Sequence, residues 1–140
     1  MSKHINLDRK YLAFVLDGES QQRLLSRCPT FHPRIIAHHV TLEYDNISKI
    51  GLEMVGTTPK VWVIGSAHNR KAQAVIVSVN GAIDRADHKY FHVTVSLAES
   101  AKEVDSNDAI FEMRKLGIPM LWQNERLPLT GTVQLLDKSS

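Results

Sequence analysis

The chain has 140 residues, 43% of them hydrophobic and 23% charged, with a formal charge of +2. That length suits one core, so a single domain over 1–140 is expected, and the composition excludes a disordered chain. A charge of +2 is far from the basic excess of a protein that grips a long nucleic-acid backbone and is easier to reconcile with a small phosphate-bearing ligand.

Cys28 is the single cysteine, which excludes an intramolecular disulfide and a multi-cysteine zinc site and fits a reducing compartment. In chain order, residues 11–16 (YLAFVL) are apolar on both faces and predict a central strand, closed by Asp17-Gly18. The run is too short to span a membrane and no small-residue cleavage site follows it, so a cytoplasmic location without membrane association is expected. A helix comes next, with Ser20 as N-cap, Leu24, Leu25 and Cys28 as its apolar stripe and Pro29 as its stop. Beyond a loop containing His32 and Pro33, residues 38–44 (HHVTLEY) alternate as a strand.

The stretch 45–58, with Gly51, Gly56 and Thr57-Thr58, shows no clear period. Strands are expected at 60–64 and 74–79, joined by the polar stretch 66–71, and Asn80-Gly81 reads as a turn. Residues 90–97 (YFHVTVSL) predict another strand, 108–116 a helix capped by Asp108 and ended by Gly117, and 129–136 a final strand. This order predicts an α+β fold rather than a doubly wound sheet.

Two of these strands share a pattern: His39-Val40-Thr41 and His92-Val93-Thr94. Strand side chains alternate between faces, so H-x-T places an imidazole and a hydroxyl side by side on one face. Val40, Leu42 and Tyr44, and likewise Val93, Val95 and Leu97, fall on the opposite, apolar face. The two motifs therefore predict matched half-sites facing one cleft. Imidazole titrates near neutral pH, so one histidine can accept a proton while the other donates one. Displacement at phosphorus needs that pair: one group deprotonates the attacking hydroxyl or water, and the other protonates the departing oxygen. The threonines would donate hydrogen bonds to the non-bridging oxygens. No metal or other cofactor is required, and a zinc site from His88 and His92 would need helical spacing on a segment that reads as a strand.

YLAFVLDGESQQRLL, HHVTLEY, VWVIGSAHNRKAQAVIVSV and YFHVTVSLAESAKEVDSND together resemble the 2H phosphoesterases, a family defined by two H-x-(T/S) motifs. They look like the branch that includes the cyclic phosphodiesterase domains of fungal and plant tRNA ligases. Phage-encoded 2H enzymes that destroy cyclic oligonucleotide alarm signals are similar in size and layout. The resemblance covers about residues 11–136. It implies a bilobal fold with pseudo-two-fold antiparallel sheets around a central cleft and helices on the outside. It also implies His39, Thr41, His92 and Thr94 as the catalytic set. Asp105-Ser106-Asn107 resembles a polar loop after the second motif, which brings Ser106 and Asn107 near the cleft. No P-loop or nucleotidyl-transfer lysine motif is present.

Other residues supply a second layer of candidates. Tyr11 and Trp62 are candidates to stack on a base, and Arg34, Arg70 and Lys71 to contact phosphate. Glu43 continues the face of His39 and Thr41, Ser96 holds the matching place after Thr94, and His38 should point away from His39. The expected function is metal-independent hydrolysis of RNA-type phosphodiesters, with a 2′,3′-cyclic phosphate as the leading substrate. One alternative is a phage anti-defence enzyme that cleaves 3′–5′ bonds of cyclic oligonucleotide messengers in the host cytoplasm. Another is a nucleotide sponge or sensor without turnover. The expected partner is accordingly a cyclic nucleotide, a cyclic oligonucleotide or an RNA 3′ end.

Overall fold

Alternation of apolar and polar residues produces strands through most of the chain. The computed structural model describes residues 7–138. After a 3-10 turn at Leu7–Arg9, the elements are β1 (Lys10–Leu16), α1 (Gly18–Arg27), β2 (Arg34–Ile35), β3 (His39–Glu43), α2 (Lys49–Glu53), β4 (Val61–His68), β5 (Ala72–Val79), β6 (His92–Leu97), α3 (Asp105–Lys115), β7 (Leu127–Leu129) and β8 (Gly131–Asp137). The class is α+β. In place of two pseudo-symmetric sheets, hydrogen bonds join the eight strands into one sheet, ordered β7-β4-β5-β6-β3-β1-β8 with β2 on β6. All the pairings are antiparallel. Between β3 and β6 the ladder is a single pair, Val40 with Val93.

One face of this sheet carries the main core. Phe14, Val40, Val63, Val77, Val93 and Val133, from six different strands, are each 0% exposed, so each contributes on the order of 1.5–3 kcal/mol by burial. Leu24 and Cys28 of α1 join them, as the helical stripe predicts. A smaller cluster, with Ala67, Ile76 and Ile110 at its centre, forms where α3 packs on β4 and β5.

The strands β7 and β8 lie at opposite ends of the sheet, yet Thr130 alone separates them in sequence. The sheet therefore curls until its two edges meet. Thr130 ties them: its carbonyl accepts from Asp17 N at 3.1 Å, its N–H donates to Ser20 Oγ at 2.5 Å and its hydroxyl donates to Asp17 Oδ2 at 2.6 Å. The stretch 129–136 is thus two strands bent at Thr130, where one was expected. Ser20 belongs to this tie, and the N-cap of α1 is Asp17, whose carboxylate accepts from Ser20 N at 2.8 Å.

Other boundaries also differ from expectation, and β2 falls in the stretch read as a loop. Strand β4 runs through Ser66 to His68 because its polar residues alternate outward, leaving a short turn in which Asn69 Oδ1 accepts from Lys71 N and Ala72 N at 2.9 Å each. In the unassigned stretch 45–58, Ser48 caps α2 by accepting from Gly51 N at 2.9 Å. The helix expected from Asp108 begins at Asp105, after Val104 in the N-cap position without a side-chain cap. The Asn80-Gly81 turn forms as expected, with φ of 48° and 88°. Among the described residues, no helix is long and apolar enough to cross a membrane.

A Cβ at Gly131 would overlap the Val15 carbonyl oxygen across the β1–β8 ladder. Gly131→Ala should therefore destabilise the protein by about 1–3 kcal/mol, read as a lowered urea midpoint with an unchanged slope.

Candidate active site

Val40 and Val93 point into the core as a pair, so the residues flanking them point to the other face. His39, Thr41, His92 and Thr94 occupy that face of two adjacent strands, with the histidines diagonal to one another at a spacing of about 7–8 Å between backbone positions. All four line one cavity of about 810 Å³, together with Tyr11 and Asn107. The sheet thus brings two motifs from distant parts of the sequence to one wall.

The approach to His39 is irregular. Ile35 pairs with Ser96 and Val40 with Val93, so the β2–β3 side carries two more residues than β6 over this span. Ala37 takes a left-handed φ of 43° within it. His38 consequently lies outside β3, and its Nδ1 is 3.0 Å from His39 Nδ1, where simple alternation placed the two rings on opposite faces. On its other side, His39 Nε2 is 3.2 Å from Tyr11 Oη and 3.9 Å from Glu103 Oε1. Burial, followed by the charges of His38 and His92, lowers the His39 pKa to about 4. Burial also raises Tyr11 to about 12, with help from Glu103 and Tyr44.

His92 is held differently. Its Nδ1 is 3.0 Å from the Tyr90 carbonyl, which can only accept, so Nδ1 carries the proton and Nε2 keeps its lone pair. Burial lowers its pKa to about 4 against the opposing effect of the hydrogen bond it donates to the Tyr90 carbonyl, with Arg85 among the charges that push it down. Both imidazoles are therefore neutral in the unliganded protein at pH 7.

The two threonines also differ. Thr94 Oγ1 shares a hydrogen bond of 2.8 Å with Ser106 Oγ, from the first turn of α3. Ser106 is 0% exposed and lies behind Thr94, not on the cavity wall. Its neighbour Asn107 does line the cavity. The Thr41 hydroxyl makes no hydrogen bond to protein among the described residues and is free to donate to a ligand.

Several other candidates sit elsewhere. Trp62 lines a separate groove with Val15, Pro128 and Thr132. The Glu43 carboxylate accepts from Ser48 N at 3.0 Å and from the Ser48 hydroxyl, bracing the loop before α2 and not an imidazole. Ser96 is buried and donates to Gln73 Oε1 at 2.6 Å. Arg34 reaches the cavity, but its Nη1 donates to the carbonyls of Ala98, Glu99 and Ala101. Arg70 and Lys71 lie in the β4–β5 turn, off the cavity wall.

Several cavity residues were not foreseen, among them Tyr44, Arg85, Asp87, Lys89, Lys102 and Glu103. Tyr44 follows β3 instead of continuing its apolar face, and its ring lies 5.4 Å from that of Tyr11. Arg85 lines the cavity although it is only 8% exposed. It lies in the loop between two strands, where no period marks it. Among the described residues, no group of three or more His, Cys, Asp or Glu side chains is placed to hold a metal ion.

No protein-family profile and no curated protein matches this sequence. The fold matches a solved structure described as the crystal structure of a fungal RNA kinase, with a TM-score of 0.58 at 12% identity. The match covers 99% of this chain and 47% of that one, so this chain spans about half its length. At that identity the likeness establishes a shared fold.

The histidines also couple folding to pH. A folded-state pKa of about 4, against about 6.5 unfolded, means the unfolded chain binds more protons between those values. Their contribution is complete above pH 6.5 and is lost as pH falls towards 4, on the order of 2–3 kcal/mol for each by pH 4.5. Urea midpoints at pH 7 and 4.5 should show this loss, and it should shrink in a His39→Gln/His92→Gln double variant.

Proposed function

We propose that this protein is a metal-independent phosphodiesterase of the 2H type that opens 2′,3′-cyclic phosphates of RNA-type nucleotides. The observation that carries the reading is the placement of two H-x-T motifs on adjacent strands, facing one cavity. On this reading the strand groups on either side of the Val40–Val93 pair are the two lobes, and the pseudo-two-fold relates their motifs. Acid, base and hydroxyl donors are then all side chains of this chain, which suits catalysis without a cofactor in a reducing cytoplasm.

The proton positions suggest an assignment of roles. His92 Nε2, unprotonated, takes a proton from water as its oxygen bonds to phosphorus. The bond from phosphorus to a ribose oxygen breaks, and His39 gives that oxygen its proton. A bound phosphodiester brings a negative charge that favours protonation of His39, and Glu103 favours it further. Thr41 donates to one non-bridging oxygen, and Thr94, oriented by Ser106, to the other. Tyr11, with Tyr44 beside it, offers an aromatic surface for a base, and Asn107 a polar contact.

A second reading is cleavage of a 3′–5′ bond in a cyclic oligonucleotide. The cavity volume of about 810 Å³ favours it, being near the upper end of small-molecule sites.

Product analysis by liquid chromatography and mass spectrometry, with chelator present, tests both on 2′,3′-cyclic mononucleotides and on cyclic di- and trinucleotides. His39→Ala and His92→Ala should each lower kcat by about 10²–10⁴-fold. Activity retained in both variants would overturn the mechanism. Wild-type protein that binds these compounds without product would be a sponge.

The pH profile supplies a further test. The productive form needs one neutral and one protonated histidine, and both groups titrate near 4 in the free protein. As pH rises from 5 to 8, kcat/KM should therefore fall by about tenfold per unit. A profile rising over that range would contradict the acid–base pair.

A further inference from the structure

A second cationic element, outside both motifs, adjoins His92. The loop before β6 is closed by the bridge between Asp84 and Tyr90, and Arg85 N donates to Lys89 O at 2.7 Å inside it. Arg85 turns its side chain into the cavity that His92 lines and is 8% exposed. Its Nε donates to Asp87 Oδ1 at 3.0 Å and its Nη2 to Asp87 Oδ2 at 2.5 Å, a two-pronged clamp on one edge of the guanidinium. Asp87 Oδ1 also accepts from Lys89 N at 3.2 Å, which fixes the carboxylate to the loop. Burial works against its charge, yet hydrogen bonding and charge from Arg85 hold the Asp87 carboxyl below its ordinary range.

The other edge of this guanidinium is unused. Arg85 Nη1 has no hydrogen bond to protein among the described residues, and it is not enclosed, since no buried side-chain nitrogen there lacks a partner. Desolvating a guanidinium costs several kcal/mol, and one carboxylate offsets only part of that cost while Nη1 stays unpaired. Arginine presents planar donors that match the oxygens of a phosphate. Of the other cations that line this cavity, Arg34 is engaged on three carbonyls, and Lys89 and Lys102 are exposed, so Arg85 is the one whose charge is held in a buried place.

We infer that Arg85 is a phosphate-contacting residue of this site, donating from Nη1 to a substrate phosphate oxygen beside His92, while Asp87 occupies the other edge of the guanidinium and its charge opposes the anion. The inference rests on the phosphoester reading for its place in catalysis, but anion binding by Arg85 does not depend on turnover. The clamp fixes where the phosphate sits relative to His92 and so selects substrates that carry an anionic phosphodiester.

Inorganic phosphate at pH 7 is the probe, titrated into wild-type, Arg85→Met and Asp87→Asn proteins and followed by histidine ring resonances in NMR spectra. Wild type should bind, Arg85→Met should bind at least tenfold more weakly, and Asp87→Asn should bind more tightly because a charge that opposes the anion is gone. Loss of folding alone would weaken binding in both variants, so the Asp87→Asn result decides should Arg85→Met fail to fold. No binding to wild type, equal binding in Arg85→Met, or unchanged or weaker binding in Asp87→Asn would overturn the inference. In the turnover assay, Arg85→Met should lower kcat/KM by about 10²-fold. Phosphate binding that depends on Arg85 in a protein without turnover would sink the enzymatic reading and leave this one standing.

Discussion

The site depends on one strand pairing. Val40 and Val93 are both fully buried, and the ladder between β3 and β6 holds them side by side. Side chains alternate with period two, so a slip of one residue in either strand would turn its histidine into the core and a valine into the cavity. Burial of the valines is thus what fixes the direction of the imidazoles. The flanking strands reinforce it: β1 pairs Val15 with His39, and β5 pairs Ile76 with His92. A ladder this short is held in register by its neighbours more than by its own hydrogen bonds.

Each imidazole then takes its character from what lies beside its strand. His92 receives a fixed proton position from a carbonyl two residues earlier in its own chain, and His39 touches His38 and Tyr11. Burial lowers both pKa values, which costs stability in acid and keeps both rings neutral at pH 7. The same economy appears at Thr94, whose hydroxyl is oriented by a buried serine from α3. Helix α3 therefore does two jobs, covering the small cluster around Ile76 and Ile110 and aiming a hydroxyl. The curl of the sheet is a separate matter. It is closed at Thr130 by Asp17 and Ser20, on the side of the molecule where the groove with Trp62 lies.

What the sequence determined by itself was local. Alternation in HHVTLEY and YFHVTVSL set the strands, which of their residues are apolar, and the shared face of each histidine and threonine. The α+β class and the Asn80-Gly81 turn followed from equally short-range rules. The tertiary structure decided the rest. Only pairing across the sheet made β3 and β6 neighbours, only the surplus residues before β3 turned His38 onto His39, and only the loop before β6 carried Arg85 to the cavity. Trp62 and Glu43 have suitable chemistry, but the path of the chain gives one to another groove and the other to a loop brace. The physical reason is that side-chain alternation depends on residues one or two apart. Strand adjacency, register slip and burial of a charge depend on segments that meet only when the core closes.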